Sequence, residues 1–197
     1  MVLAGLVTAT GCTRLSDVAE RAAEAIPTSS PAAMRLTKPE LLWGRWPESL
    51  DRRLHLQAQQ AMGGFKQLLD GEPTSAVGTA YTLSAEEYSA ERGVHSPDGQ
   101  RAVLISGVSG RVVAPEATLD TVFAGLTRLR GVTPTEPGPL GGVARCGAGE
   151  NKGVPVDVCA WADGHTIGMV IFIGFPRAQS RSEDFLKTRS QMEQPAR

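Results

Sequence analysis

The residues able to do chemistry in this chain are few, and most lack the company that chemistry needs. Asp163 and His165 flank a single glycine, a spacing at which a carboxylate and an imidazole can hold a metal ion or pass a proton, and Glu150 is an acid that could complete such a set. Two such residues beside a turn are also what any solvated turn contains. His55 is expected on the solvent side of a helix and His95 in a polar loop, and no Cys/His spacing suits zinc. Gly107-Val108-Ser109-Gly110 begins like a nucleophile elbow, but that motif needs a glycine two residues after the serine, where Arg111 stands. Gly147-Ala148-Gly149 has Lys152 in the place of the third glycine of a dinucleotide loop, and no Gly-Lys-Ser/Thr cradle is present. Glu86-Glu87 and Glu91 are neighbouring acids with nothing to fix the separation that glycoside chemistry requires. No catalytic, cofactor or metal set is assigned, and Asp163 and His165 stand as candidates.

Charge narrows the partners. The 20 Lys plus Arg balance 21 Asp plus Glu for a formal net charge of −1, which leaves no electrostatic footprint for nucleic acid. No run reaches the roughly 18 apolar residues that span a bilayer. The 22 glycines and 13 prolines follow no repeat and read as turns in a globular chain.

The elements that would position these residues can be read from periodicity. Leu50, Leu54, Ala58, Ala61, Phe65 and Leu68 form one apolar stripe of a helix over 48–69, with Gly71 and Pro73 as its stop and Gly63-Gly64 as a possible kink. Ala76 to Leu83 alternates as a strand, and Ala102 to Val113 is a second, β-branched one. Pro115-Glu116 opens a helix whose stripe runs Leu119, Val122, Phe123, Leu126, Leu129, with Arg128 and Arg130 in the last turn before Gly131. Asp163-Gly164 is a strong type I′ hairpin signal. Centring the turn there pairs Ala160 with Ile167, Val158 with Met169 and Val156 with Ile171, and sets Gly168 opposite Cys159 with room for something bulky. Ser180-Arg181-Ser182-Glu183 has capping-box spacing for a last helix to about Glu193. The expected fold class is α+β, two-layer, with a mostly antiparallel sheet of about five strands and helices on one face.

The three cysteines divide two and one. If Val143 to Ala148 runs back along Val154 to Ala162, Cys146 and Cys159 become cross-strand partners, and a bridge between them would stabilise the fold by about 3 kcal/mol in the chain-entropy view. It would also require an oxidising compartment; two free thiols in a reduced cytoplasm are the alternative. Cys12 ends Ala9-Thr10-Gly11-Cys12 after an apolar run, and this segment resembles the lipobox of bacterial lipoproteins, with Ala9 where Leu is usual and no basic residue ahead. The resemblance implies cleavage before Cys12 and a lipid on its thiol; the alternatives are an N-terminal strand or helix with an incidental cysteine and a truncated membrane anchor. Pro27-Thr28-Ser29-Ser30-Pro31, after a short helix expected over Thr13 to Ile26, reads as a tether.

Cys146, the run Cys159-Ala160-Trp161-Ala162-Asp163 and the following Thr166-Ile167-Gly168 resemble a pattern in uncharacterised membrane-tethered proteins of actinobacteria. That resemblance covers the chain from Ala102 onward and implies an extracytoplasmic location without implying an activity. The expected organisation is a signal-like segment over 1–12, tether and lead-in over 13–47, the α+β domain over 48–176 and a C-terminal helix and tail over 177–197. The expected function is a non-catalytic envelope domain, attached to the membrane through a lipid anchor, that binds or scaffolds an unidentified envelope protein or ligand. Two other expectations follow different residues: a secreted hydrolase or metal-dependent enzyme using Asp163, His165 and Glu150, and a sensor or accessory domain of a membrane complex with Trp43 and Trp46 at the contact. As a plainer role, Trp43 and Trp46 would cap the core.

Overall fold

The computed structural model describes residues 34–82, 101–177 and 180–196. The Cys12 segment, the Thr13 to Ile26 helix, the proline tether, and Glu86, Glu87, Glu91 and His95 lie outside the described residues. The elements in chain order are β1 (Met34–Leu36), α1 (Arg52–Lys66), β2 (Ser75–Thr82), β3 (Ala102–Ser109), α2 (Pro115–Ala124), β4 (Arg130–Thr135), β5 (Val143–Asn151), β6 (Val154–Ala162), β7 (Thr166–Ile173), α3 (Ser182–Met192) and β8 (Glu193–Pro195).

Alternation in β3, β6 and β7 makes a sheet with two apolar faces. Six strands lie in the order β2-β3-β7-β6-β5-β4, each antiparallel to its neighbour, and β1 pairs with β8 in a separate two-stranded ribbon. The fold is α+β with a mostly antiparallel sheet, as the patterning leads one to expect, and the sheet has six strands rather than five. One face carries Leu104, Val158, Ala160 and Met169 and packs against Ala58 and Phe65 of α1 and Leu119 of α2. The other carries Val103, Ile105, Trp161 and Phe172 and packs against Phe185 and Met192 of α3. Helices therefore cover both faces, because β3 and β7 are apolar at successive positions and leave neither side fit for water.

α1 starts four residues later than its stripe suggests. Asp51 caps it, its Oδ1 accepting the amide of Arg53 at 2.9 Å. The preceding residues run instead along the outer edge of β2, where Ser49 N–H donates to Ala80 O and Glu48 bridges to Tyr81. Leu50, counted in the stripe, is 101% exposed. Gly63 and Gly64 stay inside the helix with open space around them.

α2 has the proline and acid expected at its start but ends at Ala124, with Gly125 as its C-cap. Leu126 and Leu129 reach the core on two successive three-residue turns rather than on helix, and Arg130 begins an edge strand. That strand escapes sequence reading because it holds Pro134 and a register shift between Arg130 and Thr133, both tolerated at an edge where an amide need not be paired.

The two C-terminal hairpins exchange their expected turns. Lys152 and Gly153 form a two-residue turn, both at positive φ of 51° and 84°, and join β5 to β6 with Asn151 opposite Val154. The Asp163-Gly164 site instead makes a longer loop, closed by Asp163 N–H donating to Thr166 O at 3.0 Å. Asp163 Oδ1 accepts the amides of His165 and Thr166 at 2.7 and 2.8 Å, so side-chain hydrogen bonding, not positive φ, fixes this turn. The β6–β7 register is consequently two residues from the expected one: Ala160 faces Met169, Val158 faces Ile171 and Val156 faces Ile173. A shift of two preserves which face each residue lies on. Gly168 sits opposite Trp161, not Cys159, and the bulky group it admits is the indole: a Cβ there would lie 2.1 Å from the Trp161 ring.

α3 begins at Ser182 without the expected capping box. Ser180 Oγ accepts the amide of Ser182 rather than that of Glu183, and Arg181 occupies the N-cap position.

Candidate functional site

The disulfide is the best-defined covalent feature. Cys146 on β5 and Cys159 on β6 face each other in register, with Cα atoms 4.1 Å apart and sulfurs at bonding distance. Cys159 is fully buried beside Trp161 and Phe172, and Cys146 is half-buried at the margin of that core.

Asp163 is drawn into a buried polar cluster. Its Oδ2 accepts from Arg189 Nη2 at 2.8 Å. Arg189, 1% exposed, also donates through Nη1 to the carbonyls of Pro137 and Gly141 and through Nε to Glu193 Oε1. Glu193 Oε1 further accepts from Trp161 Nε1, and the Thr166 hydroxyl lies 2.7 Å from both Glu193 Oε1 and Asp163 Oδ2. Burial pushes the Glu193 carboxyl above its ordinary value, Arg189 and Thr166 oppose this, and Asp163 adds to it. Every donor of this cluster points inward. It fastens α3 to the β6–β7 turn and to the 137–141 segment, and it leaves Asp163 no free oxygen for a ligand. The one advance signal was the four-residue spacing of Arg189 and Glu193, which lies in a stretch read as a thin tail helix.

His165 is half-buried and its ring makes no hydrogen bond among the described residues. Glu150 stands opposite Pro155, at the far end of β6 from Ala162 and Asp163, and is ion-paired with Arg177. Seven strand residues separate those ends, about 23 Å at about 3.3 Å per residue. The structure does not bring Asp163, His165 and Glu150 together. Ser109 is buried, its hydroxyl bonded to those of Thr74 and Ser75 at 2.8 and 2.6 Å. His55 differs from the solvent-facing role expected of it: Nε2 contacts Ser49 O at 2.6 Å and Nδ1 lies 3.3 Å from the Thr79 hydroxyl, which donates to Glu48. Among the described residues no group of three or more His, Cys, Asp or Glu could hold a metal ion, and no helix is long and apolar enough to cross a membrane.

Trp46 is buried and stacks on Phe175. Trp43, at a φ of 55°, is half-buried; it stacks on Phe172 and donates from Nε1 to the Thr188 hydroxyl at 3.0 Å. Both indoles belong to the α3-side core, which ties the lead-in segment to α3.

A sizeable concavity with an apolar floor lies on the opposite face. α1 sits directly over β2 and β3, where a Cβ on Gly78 would meet the Gln59 backbone at 3.0 Å and Ser106 Oγ bonds Ala58 O. α2 sits over β5 and part of β6 and is held by ion pairs from Arg145 to Glu116 and Asp120. Between the two helices the ends of β6 and β7 stay uncovered, and a trough of about 750 Å³ opens above Val156, Val158, Ile171 and Ile173. Leu54 walls one side and Leu126 and Leu129 the other, with Arg53, Arg128 and Lys152 and the acids Asp51 and Glu150 also lining it, Arg53 being ion-paired with Asp51. A second hollow of about 670 Å³ shares Arg128, Gly149 and Glu150 with the first and adds Arg130 and Arg177. Sequence reading missed the trough because its floor residues look like ordinary core.

No protein-family model, curated protein or solved structure matches this chain.

Proposed function

We propose that this chain is an extracytoplasmic, non-catalytic binding domain, tethered to the outer side of a membrane by a lipid on Cys12. The observation that carries the reading is the Cys146–Cys159 disulfide, since a structural bridge of this kind persists where thiols are not kept reduced. The lipobox-like Ala9-Thr10-Gly11-Cys12 run accounts for the remaining cysteine in the same compartment. The binding role is supported by two features together: the acids and histidine that could have done acid–base chemistry are apart or already bonded, and an apolar-floored trough is open.

The test is the intact mass of the chain extracted from membranes, before and after reduction. The expected chain is cleaved before Cys12, carries a diacyl or triacyl mass, and gains two hydrogens on reduction. A soluble, uncleaved chain with three free thiols would overturn the location.

A further inference from the structure

We infer that the trough over β6 and β7 binds a long-chain carboxylate, with its alkyl chain on the valine and isoleucine floor and its head at the Arg128–Arg130 end. The inference deepens the proposed binding role and rests on it. The floor decides the body of the ligand. β6 lies between β5 and β7, and β7 lies between β3 and β6, so the amides and carbonyls of both strands are already engaged in ladders on both sides. The floor that these two strands present is aliphatic, Val156, Val158, Ile171 and Ile173, and the charged side chains Asp51, Arg53, Arg128, Glu150 and Lys152 line the rest of the trough. An extended peptide laid there would bury its own amides without partners, at a cost that an alkyl chain does not incur. The volume, about 750 Å³, falls in the range of small-ligand pockets, about 300–1,000 Å³.

The second hollow decides the head. Three guanidinium groups, Arg128, Arg130 and Arg177, line it with one carboxylate, Glu150. Arg177 is ion-paired with that carboxylate. Arg128 has only a 3.4 Å contact to Asn151, and Arg130 has no side-chain partner among the described residues. Arg128, at the end of the trough, and Arg130, in the hollow that adjoins it, are exposed guanidiniums with no ion-pair partner among the described residues, since Glu150 is paired with Arg177; together they form a local site for an acid head, which a planar guanidinium meets with paired hydrogen bonds.

The test uses the full chain with its disulfide intact. Dansyl-undecanoate is titrated by fluorescence and then displaced by palmitate or by hexadecanol, which has the same chain length and no charge. Saturable one-site binding is expected, with palmitate displacing the probe about tenfold better than the alcohol, the size of one charge-assisted hydrogen bond. The double variant Arg128→Glu/Arg130→Glu changes two exposed side chains and is expected to keep the parent's melting temperature, to lose about tenfold or more for palmitate, and to bind hexadecanol unchanged. Absence of saturable binding, equal affinity for acid and alcohol, or an undiminished palmitate affinity in the double variant would each overturn the inference. Displacement by an amphipathic helical peptide but not by palmitate would overturn it too, while leaving a binding domain in place. An unlipidated cytoplasmic chain that still binds palmitate would overturn only the location.

Discussion

Glu193, buried at 4% exposure, presents one oxygen to three donors, while the other, Oε2, has no hydrogen-bond partner among the described residues. Burial is the largest influence on its proton, and it raises the carboxyl above the ordinary 4.5. The folded chain therefore holds this proton to a higher pH than the unfolded chain does. The stability contributed by the protonated carboxyl is fully present below the ordinary carboxyl range and is lost as pH rises through the raised value. Glu193→Gln keeps an acceptor for Trp161 and Thr166 and removes the ionisation. Melting temperatures of parent and variant across that window are expected to diverge in the variant's favour as pH rises; parallel curves would show that the carboxyl is not shifted. At this scale the sequence was uneven in what it disclosed. The pairing of Cys146 with Cys159 followed from spacing and strand direction. The pairing of Asp163 with Arg189 did not, because 26 residues and a change of element separate them.

The two C-terminal turns are decided by different physics, and single substitutions can tell them apart. Gly153 has a φ of 84°, a region that side chains rarely adopt, so Gly153→Ala is expected to cost about 1 kcal/mol or more. Gly164 is exposed, is not at positive φ, and has nothing within 4 Å of an added Cβ, so Gly164→Ala is expected to change stability by less than about 0.5 kcal/mol. Urea unfolding of both variants checks this, and the reverse order would restore the type I′ turn at Asp163-Gly164. An Asp-Gly pair carries two signals, positive φ and a carboxylate able to bind following amides, and Thr166 two residues beyond the glycine let the second prevail. The faces of β6 and β7 were legible because period-2 alternation survives a two-residue shift, whereas the partners were not. β4 was illegible for a useful reason. Its Pro134 and register shift blunt the open edge of the sheet against pairing with another chain.

For the molecule as a whole, composition and alternation disclosed an α+β domain but not how its faces are shared. The division depends on three short helices and a lead-in segment that together cover less of the sheet than its apolar faces present. The α3 side is closed by aromatic rings from Trp43, Trp46, Phe175 and Phe185, while the α1–α2 side keeps the trough. Such a gap cannot be read from a chain in which covered and uncovered valines look alike. The pairing of β1 with β8 has a consequence of another kind. Met34 lies opposite Pro195, so the described domain is nearly a closed ring interrupted at one place. Where the ring is cut should then matter little. A circular permutant that joins residue 196 to residue 34 through a short Gly/Ser linker and opens between Thr82 and Arg101 is expected to form the Cys146–Cys159 bridge and to unfold in a single cooperative transition by circular dichroism. A permutant that stays unfolded would mean that chain order, and not only the closed set of contacts, is needed to reach this fold.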